Sequence, residues 1–390
     1  MSTQFDVIVV GGGLVGASLA LALEPLGYSV ALVEPHGPPA LPAGDAWDNR
    51  IYSISPGSAA LLAVGGAWSD MPEDRVTRVE AMQIYGDDIT SSLRFSAYEA
   101  GLRELAYIVE NSTLHHALWR ELQQSPSIRV YCPARCASLA WQERAVSLTL
   151  ADGEELTGEL VIGADGADSW VREQAGMASV RRPYGEIGVV ANFATLRPHR
   201  GVAYQWFGRK GVLALLPLPG NRVSMVWSTP EQHAEELISM TPDTLADAVA
   251  EASGYVLGSL ELITPPAGFP LRLQRVSRLV GAHVALVGDA AHTVHPLAGQ
   301  GVNLGFRDVR DLAAVLAAPG GHVNCGDYQL LRRYERARAE DIATMRVVTD
   351  GLQKLFGAEA VSVARLRNAG LGLVGRMTPL KNLLIRHAIA

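Results

Sequence analysis

Cysteine is scarce in this chain of 390 residues, and positive charge is in deficit. The three cysteines, Cys132, Cys136 and Cys325, have neither CxxC nor zinc-ligand spacing. An odd set of this kind excludes a disulfide framework and fits free thiols in a reducing compartment. Lys and Arg number 33 against 40 Asp and Glu, a formal charge of −7 with a pI near 5.8. Phosphate neutralisation needs clustered cations, so a nucleic-acid partner is not expected. Repeats and low-complexity tracts are also missing. Val7 to Leu23 is uncharged, but Asp6 stands where a leader would carry a basic flank, and Glu24 and Pro25 end the run before it could span a bilayer. The expectation is a buried strand, turn and helix in a cytoplasmic protein.

What is present is a large apolar content, 48% hydrophobic against 19% charged residues, enough for two or three units at roughly 150 residues each. FDVIVV (Phe5 to Val10) reads as a buried parallel strand, Gly11 to Gly16 as a turn, Ala17 to Leu26 as a helix closed by Gly27, and YSVALVE as the next strand. Short β-rich runs over Thr77 to Arg94 and Ile187 to Trp227 suggest a separate antiparallel sheet. Asn111 to Leu122 reads as a helix. VSLTLADGEELTGELVIGADG reads as a hairpin turning at Asp152-Gly153, VALVGDA as the last strand of the nucleotide layer, and Val302 to Ala317 as a helix. The expected fold class is α/β: a Rossmann-like nucleotide-binding domain (1–75, 102–180 and 272–325) interleaved with an antiparallel β-sheet substrate domain (76–101 and 181–271), then C-terminal helices (326–390).

Gly11-Gly12-Gly13-Leu14-Val15-Gly16 places small residues between a strand and a helix, where backbone amides and a helix N-terminus can approach a pyrophosphate. Glu34 follows Gly16 by eighteen positions, close to the spacing of a ribose-binding acid, which favours the unphosphorylated ribose of FAD or NAD. Asp165 and Asp289 each end a further strand. Two such acids beside one glycine turn suit a flavin nucleotide, whose ribityl hydroxyls need acceptors. His292 and His295 have an HxxH look, yet no third ligand has suitable spacing, so no metal site is expected.

These motifs, in this order, resemble the class A flavoprotein aromatic hydroxylases of the p-hydroxybenzoate hydroxylase type, and within them the bacterial ubiquinone-biosynthesis flavin hydroxylases. The resemblance rests on VVGGGLVG, NRIYSISPGSAALL, IVENSTLHHALW, VIGADGADSWVR, GVLALLPL, the FPL of Phe269 to Leu271, GDAAHTVHPLAGQGVNLGFRD (Gly288 to Asp308) and LRRYERAR. It implies FAD as cofactor, NAD(P)H and dioxygen as co-substrates, and hydroxylation of an aromatic ring, a polyprenylated phenol of ubiquinone synthesis, through a flavin C4a-hydroperoxide. Carried onto this chain, it implies that Gly11, Gly13, Gly16 and Glu34 hold the ADP half, with Leu14 and Val15 in the same turn, and that Asp289 binds the ribityl chain. It places Arg50 near the pyrophosphate and the moving flavin, Asn111 near the ribityl chain, and Gly299, Gln300, Gly301, Val302 and Asn303 beside the isoalloxazine. Pro296 and Leu297 fall at the oxygen-reacting face.

Tyr204, Trp206, Leu213, Leu215 and Pro217 are the candidates for a substrate pocket, with ordinary sheet core as the competing reading of each. No second GxGxxG marks a site for the reductant. The absence of Trp-x-Trp disfavours a halogenase. After Glu359 the chain carries Arg365, Arg367, Arg376, Lys381 and Arg386 and no acid. This tail reads equally as a peripheral contact with the inner face of the cytoplasmic membrane or as a helix with a solvated basic face. Other proteins of ubiquinone biosynthesis are candidate partners. A hydroxylase of a small soluble aromatic compound and a non-catalytic flavoprotein scaffold remain alternatives.

Overall fold

The computed structural model describes residues 3–86, 92–208, 210–293, 300–317 and 324–357, and only the backbone of residues 300 and 345–357. Three sheets organise them.

The first sheet carries the nucleotide-binding layer. Thr3–Val10 lies at its middle, parallel to Val30–Val33 on one side and to Glu155–Gly163 on the other. Ile128–Tyr131 and Val284–Leu286 extend it in parallel at either flank. These strands read as continuous apolar runs because helices cover their faces. Chain order reverses about Thr3–Val10, the topological switch point at which open α/β sheets bind ligands. The helix Leu14–Leu23 contains no charge because eight of its ten residues are buried; it packs on the helices Asn111–Gln124 and Gln300–Leu316. A 3-10 turn, Glu24–Leu26, and left-handed Gly27 (φ +84°) end it where the sequence predicts the stop. The expected hairpin is present, Val146–Leu150 against Glu155–Gly163, with Gly153 at φ +92°.

The second sheet has nine strands and is mostly antiparallel, around Ser179–Thr195, Val202–Gly208, Gly211–Leu218, Arg222–Pro230 and Ala267–Val276. Ala81–Tyr85 joins it parallel to Val202–Gly208. The boundary expected between residues 271 and 272 falls inside the single strand Ala267–Val276. Two helices, Glu231–Ser239 and Pro242–Ala252, cover one face and close a core of Phe193, Leu213, Leu215, Met225, Trp227, Leu237 and Leu245. A small third sheet, Ile51–Ile54, Ala106–Glu110 and Thr77–Val79, lies between the layers. No helix among the described residues is long and apolar enough to cross a membrane.

Candidate active site

The C-terminal ends of the parallel strands are laced side by side by backbone bonds: Gly11 N to Val33 O, Ala164 N to Val10 O and Val287 N to Gly163 O, at 2.8 to 3.0 Å. The glycines between them are steric necessities. Gly11 sits at φ +106° against the carbonyl of Ala164, and a Cβ on Gly16 would stand 1.9 Å from the carbonyl of Gly11. A Cβ on Gly13 would instead meet nothing within 4 Å. Gly13 opens the helix Leu14–Leu23, which has no side-chain cap and no acid in its first turn. Orphan amides beside an open cradle suit a pyrophosphate.

Glu34 ends the second strand with one carboxylate oxygen accepting from Gly12 N and the other from His36 N. The Gly12 carbonyl receives Trp119 Nε1 and His115 Nε2, each at 2.8 Å. A carbonyl only accepts, so His115 carries its proton on Nε2; burial lowers its pKa and keeps the ring neutral. The turn is therefore held from outside by two rings of the helix Asn111–Gln124.

The other two acids differ. Asp165 Oδ2 accepts from Val171 N at 3.0 Å, in the first turn of a short helix that Ser169 caps, while its Oδ1 is buried without a hydrogen-bond partner. Asp289 reaches solvent, but protein crowds the carboxylate and raises its pKa, with His292 and Arg50 opposing the rise. A carboxylate at the floor of a cleft has this combination, and such a group is open to hydroxyl donors. Arg50 lies over the ring of Tyr52, 5.5 Å from its centroid. Its backbone accepts from Asn111 N and donates to Asp48 Oδ1.

Several supporting residues escaped sequence reasoning because their partners are remote. Asp48 Oδ2 accepts from Ser112 N, and Asn192 of the second sheet donates to Asp48 O. Glu110, fully buried, accepts from Asp48 N and pairs with Arg75 at 3.2 Å; desolvation raises its pKa against Arg75. Buried Arg172 donates to Ala290 O and Ala167 O, tying the two acid-bearing strand ends together. Asp308 accepts from Gly288 N and His292 Nε2 on one oxygen and from Arg338 Nε on the other, at 2.7 to 2.8 Å. Arg338, 1% exposed, also binds Asp311 and Asp341. His292 thus has a structural role, and no cluster of three potential metal ligands occurs among the described residues.

At the helix Gln300–Leu316, Gly301 has open space where a Cβ would stand, and Gly301 and Val302 are half-buried in the first turn. Asn303 is turned inward: its amide donates to Ser53 O at 2.7 Å and accepts from Ser55 N at 2.8 Å. Its side chain joins the helix to the small sheet. Pro296, Leu297 and Gly299 lie outside the described residues, as does the side chain of Gln300.

The expected substrate residues lie on the helix-covered face of the second sheet. Trp206, Leu213 and Leu215 belong to its closed core and Tyr204 packs against it; Pro217 is buried on the same side of its strand. Trp206 stacks between Tyr85 and Tyr204, centroids 5.5 and 5.8 Å away. Of the two readings of these residues, their burial fits ordinary sheet core, and the reason is strand parity, since neighbouring residues point to opposite faces. The face turned toward the nucleotide layer bears Asn192, which binds Asp48, and Ala203 and Leu218, which pack on Val79 and Ile108 of the small sheet. Gln205, Ala214, Val226 and Val190 lie side by side across four strands of that face. Val212, Ala214, Leu216 and Val226 on it are half-exposed, an apolar roof open to the cleft.

Glycine cradle, strand-end acids and apolar roof together define an FAD-dependent monooxygenase. The model of a family described as FAD binding domain matches residues 4–348, and the chain belongs to that family. Among curated relatives, the ubiquinone hydroxylase UbiL of Rhodospirillum rubrum is 37% identical, over 98% of this chain and 89% of that protein. The 3-demethoxyubiquinol 3-hydroxylase of Escherichia coli is 33% identical over 98% of each. In fold, the chain is similar to PqsL of Pseudomonas aeruginosa crystallised with 2-aminobenzoylacetate: TM-score 0.80, 23% identity, 95% of this chain and all of that one.

Proposed function

We propose that the chain hydroxylates the aromatic ring of a polyprenylated phenol in ubiquinone biosynthesis, using FAD, NAD(P)H and dioxygen, in the cytoplasm. The observation that carries this reading is the half-open apolar roof on the face turned toward the nucleotide layer: the strand Gly211–Leu218 carries no charged side chain. Such a roof receives a neutral ring and repels water. Water exclusion is what the chemistry asks of the protein, because a wet site releases hydrogen peroxide. The names of the relatives support the substrate class.

Bound FAD supplies the passage of electrons from NAD(P)H to dioxygen. In this reading Gly11, Gly13, Leu14, Val15 and Gly16 cradle its pyrophosphate, Glu34 takes the ribose hydroxyls and Asp289 the ribityl hydroxyls. Arg50 and Asn111 border the same cleft. The first turn of the helix Gln300–Leu316 would set the positive end of its dipole at the flavin edge that gains charge on reduction. Pro296, Leu297 and Gly299 stay in the proposal on sequence alone, as does contact of the basic tail after Glu359 with an anionic membrane.

Turnover of a polyprenyl phenol by the FAD-loaded protein under ¹⁸O₂ tests the reading. Incorporation of one labelled atom per NAD(P)H consumed is expected. Hydrogen peroxide as the only oxygen product, or no reductant consumption with any phenol, would contradict it.

A further inference from the structure

The apolar roof continues past Val190. In the pairing of Ser179–Thr195 with Ala267–Val276, Val190 stands opposite Ala267, Gly188 opposite Phe269, Arg182 opposite Leu273 and Val180 opposite Arg275. The irregularity between Pro183 and Ile187 adds two residues to one strand, an even number that preserves facing. Ala267, Phe269, Leu271 and Leu273 therefore share the face of Val190, Val226 and Ala214. Phe269 is 46% exposed and Val180 is 71% exposed, while Leu271 and Leu273 are half-exposed. On the opposite face of the same sheet, apolar side chains are sealed beneath two helices. An open apolar strip of this kind, bordered at its far end by Arg182 and Arg275, marks a binding surface.

Its course starts at the cleft and turns out of it. One end is fastened to the Arg50 loop, where Asn49 Nδ2 donates to Pro265 O at 2.7 Å. At the other, the side chain of Gln274 donates to Asp289 O, so neighbouring Leu273, on the opposite face, points outward from that strand end. From Ala267 to Leu273 the strip runs about 20 Å at ~3.3 Å per residue. It is too long for a phenol ring and suits an extended hydrocarbon.

We propose that this strip is the subsite for the polyisoprenoid tail of the substrate, the ring lying under Ala214 and Val226 and the tail leaving past Ala267 along Phe269, Leu271 and Leu273. The proposal rests on the polyprenylated-phenol reading. The basic end of this chain is an unsuitable occupant, because its five cations would meet Arg182 and Arg275 on the strip.

The test compares kcat/KM of the FAD-loaded enzyme for two phenols with the same ring, one bearing a long prenyl chain and one bearing none. Phe269→Asp is expected to lower the preference for the tailed phenol at least tenfold, through KM, with flavin content and turnover of the tailless phenol kept. Leu273→Ala is expected to act in the same direction by a smaller factor, and it serves as the test if Phe269→Asp fails to hold flavin. An unchanged preference in both variants overturns the tail subsite. So does a changed oligomeric state with unchanged preference, which would make the strip an interface between copies. If the unaltered enzyme turns over neither phenol, the substrate reading itself fails and takes the subsite with it; intact turnover with unaltered preference defeats the subsite alone.

Discussion

The parallel and antiparallel sheets present groups to one cleft by different means. In the parallel sheet the groups proposed to hold the cofactor are largely backbone: amides of the glycine turn, helix N-termini and laced strand ends, with Glu34 and Asp289 as single side-chain additions. A defect there acts through space that is already full. In the antiparallel sheet the working surface is a set of alternate side chains, and the same strand serves the cleft with Ala214 and the core with Leu213 and Leu215. The first layout tolerates no added atom at Gly11 or Gly16. The second tolerates exchange of volume but fails if facing is misread.

The comparison can be strained most severely at Gly16. Its Cβ has no room beside the Gly11 carbonyl, so Gly16→Ala should reduce bound flavin more than tenfold, read from the absorbance of purified protein. Next is the buried charge set behind the strand end. Arg338→Met leaves Asp308 buried without its cation, and the expected cost in urea unfolding is about 3–5 kcal/mol. That loss should appear with and without FAD, whereas the Gly16 effect is one of cofactor binding.

The smallest effect should come from Asp289. Its carboxyl pKa is raised by burial, so the folded state binds this proton more tightly than the unfolded chain does. Stability of the cofactor-free protein then rises as pH falls through the raised pKa, and above that pKa the charged group is a cost. Asp289→Asn should make the cofactor-free protein melt higher at neutral pH and flatten this part of its pH dependence. The same variant should bind FAD roughly tenfold more weakly, through loss of a charged acceptor. A variant that melts lower at neutral pH would contradict the strained-carboxylate account.

How much of this was legible in the sequence follows from the same contrast. Local spacing reports backbone-built features, so the glycine turn, the helix stop at Gly27, the hairpin at Gly153 and the acids at strand ends could be read directly. The supports could not: Glu110 holds Asp48 across 62 positions and Arg172 holds Ala290 across 118, and nothing local marks such pairs. Which residues of the roof strand face the core was not legible for another reason. Val212 to Leu218 is apolar at every position, so period-two alternation, the usual sign of which face is the core, is silent there. The two helices that decide the matter, Glu231–Ser239 and Pro242–Ala252, come later in the chain.

The facing of that strand is the central claim, and site-resolved thiol labelling tests it most directly. Ala214→Cys and Leu213→Cys would be alkylated in the FAD-loaded enzyme with and without a phenol, and labelling at each position quantified by peptide mass spectrometry. The cysteine at 214 should react and be protected by the phenol, while the one at 213 should stay unreactive in both states. Phenol-protected labelling at 213 together with an inert 214 would contradict the account.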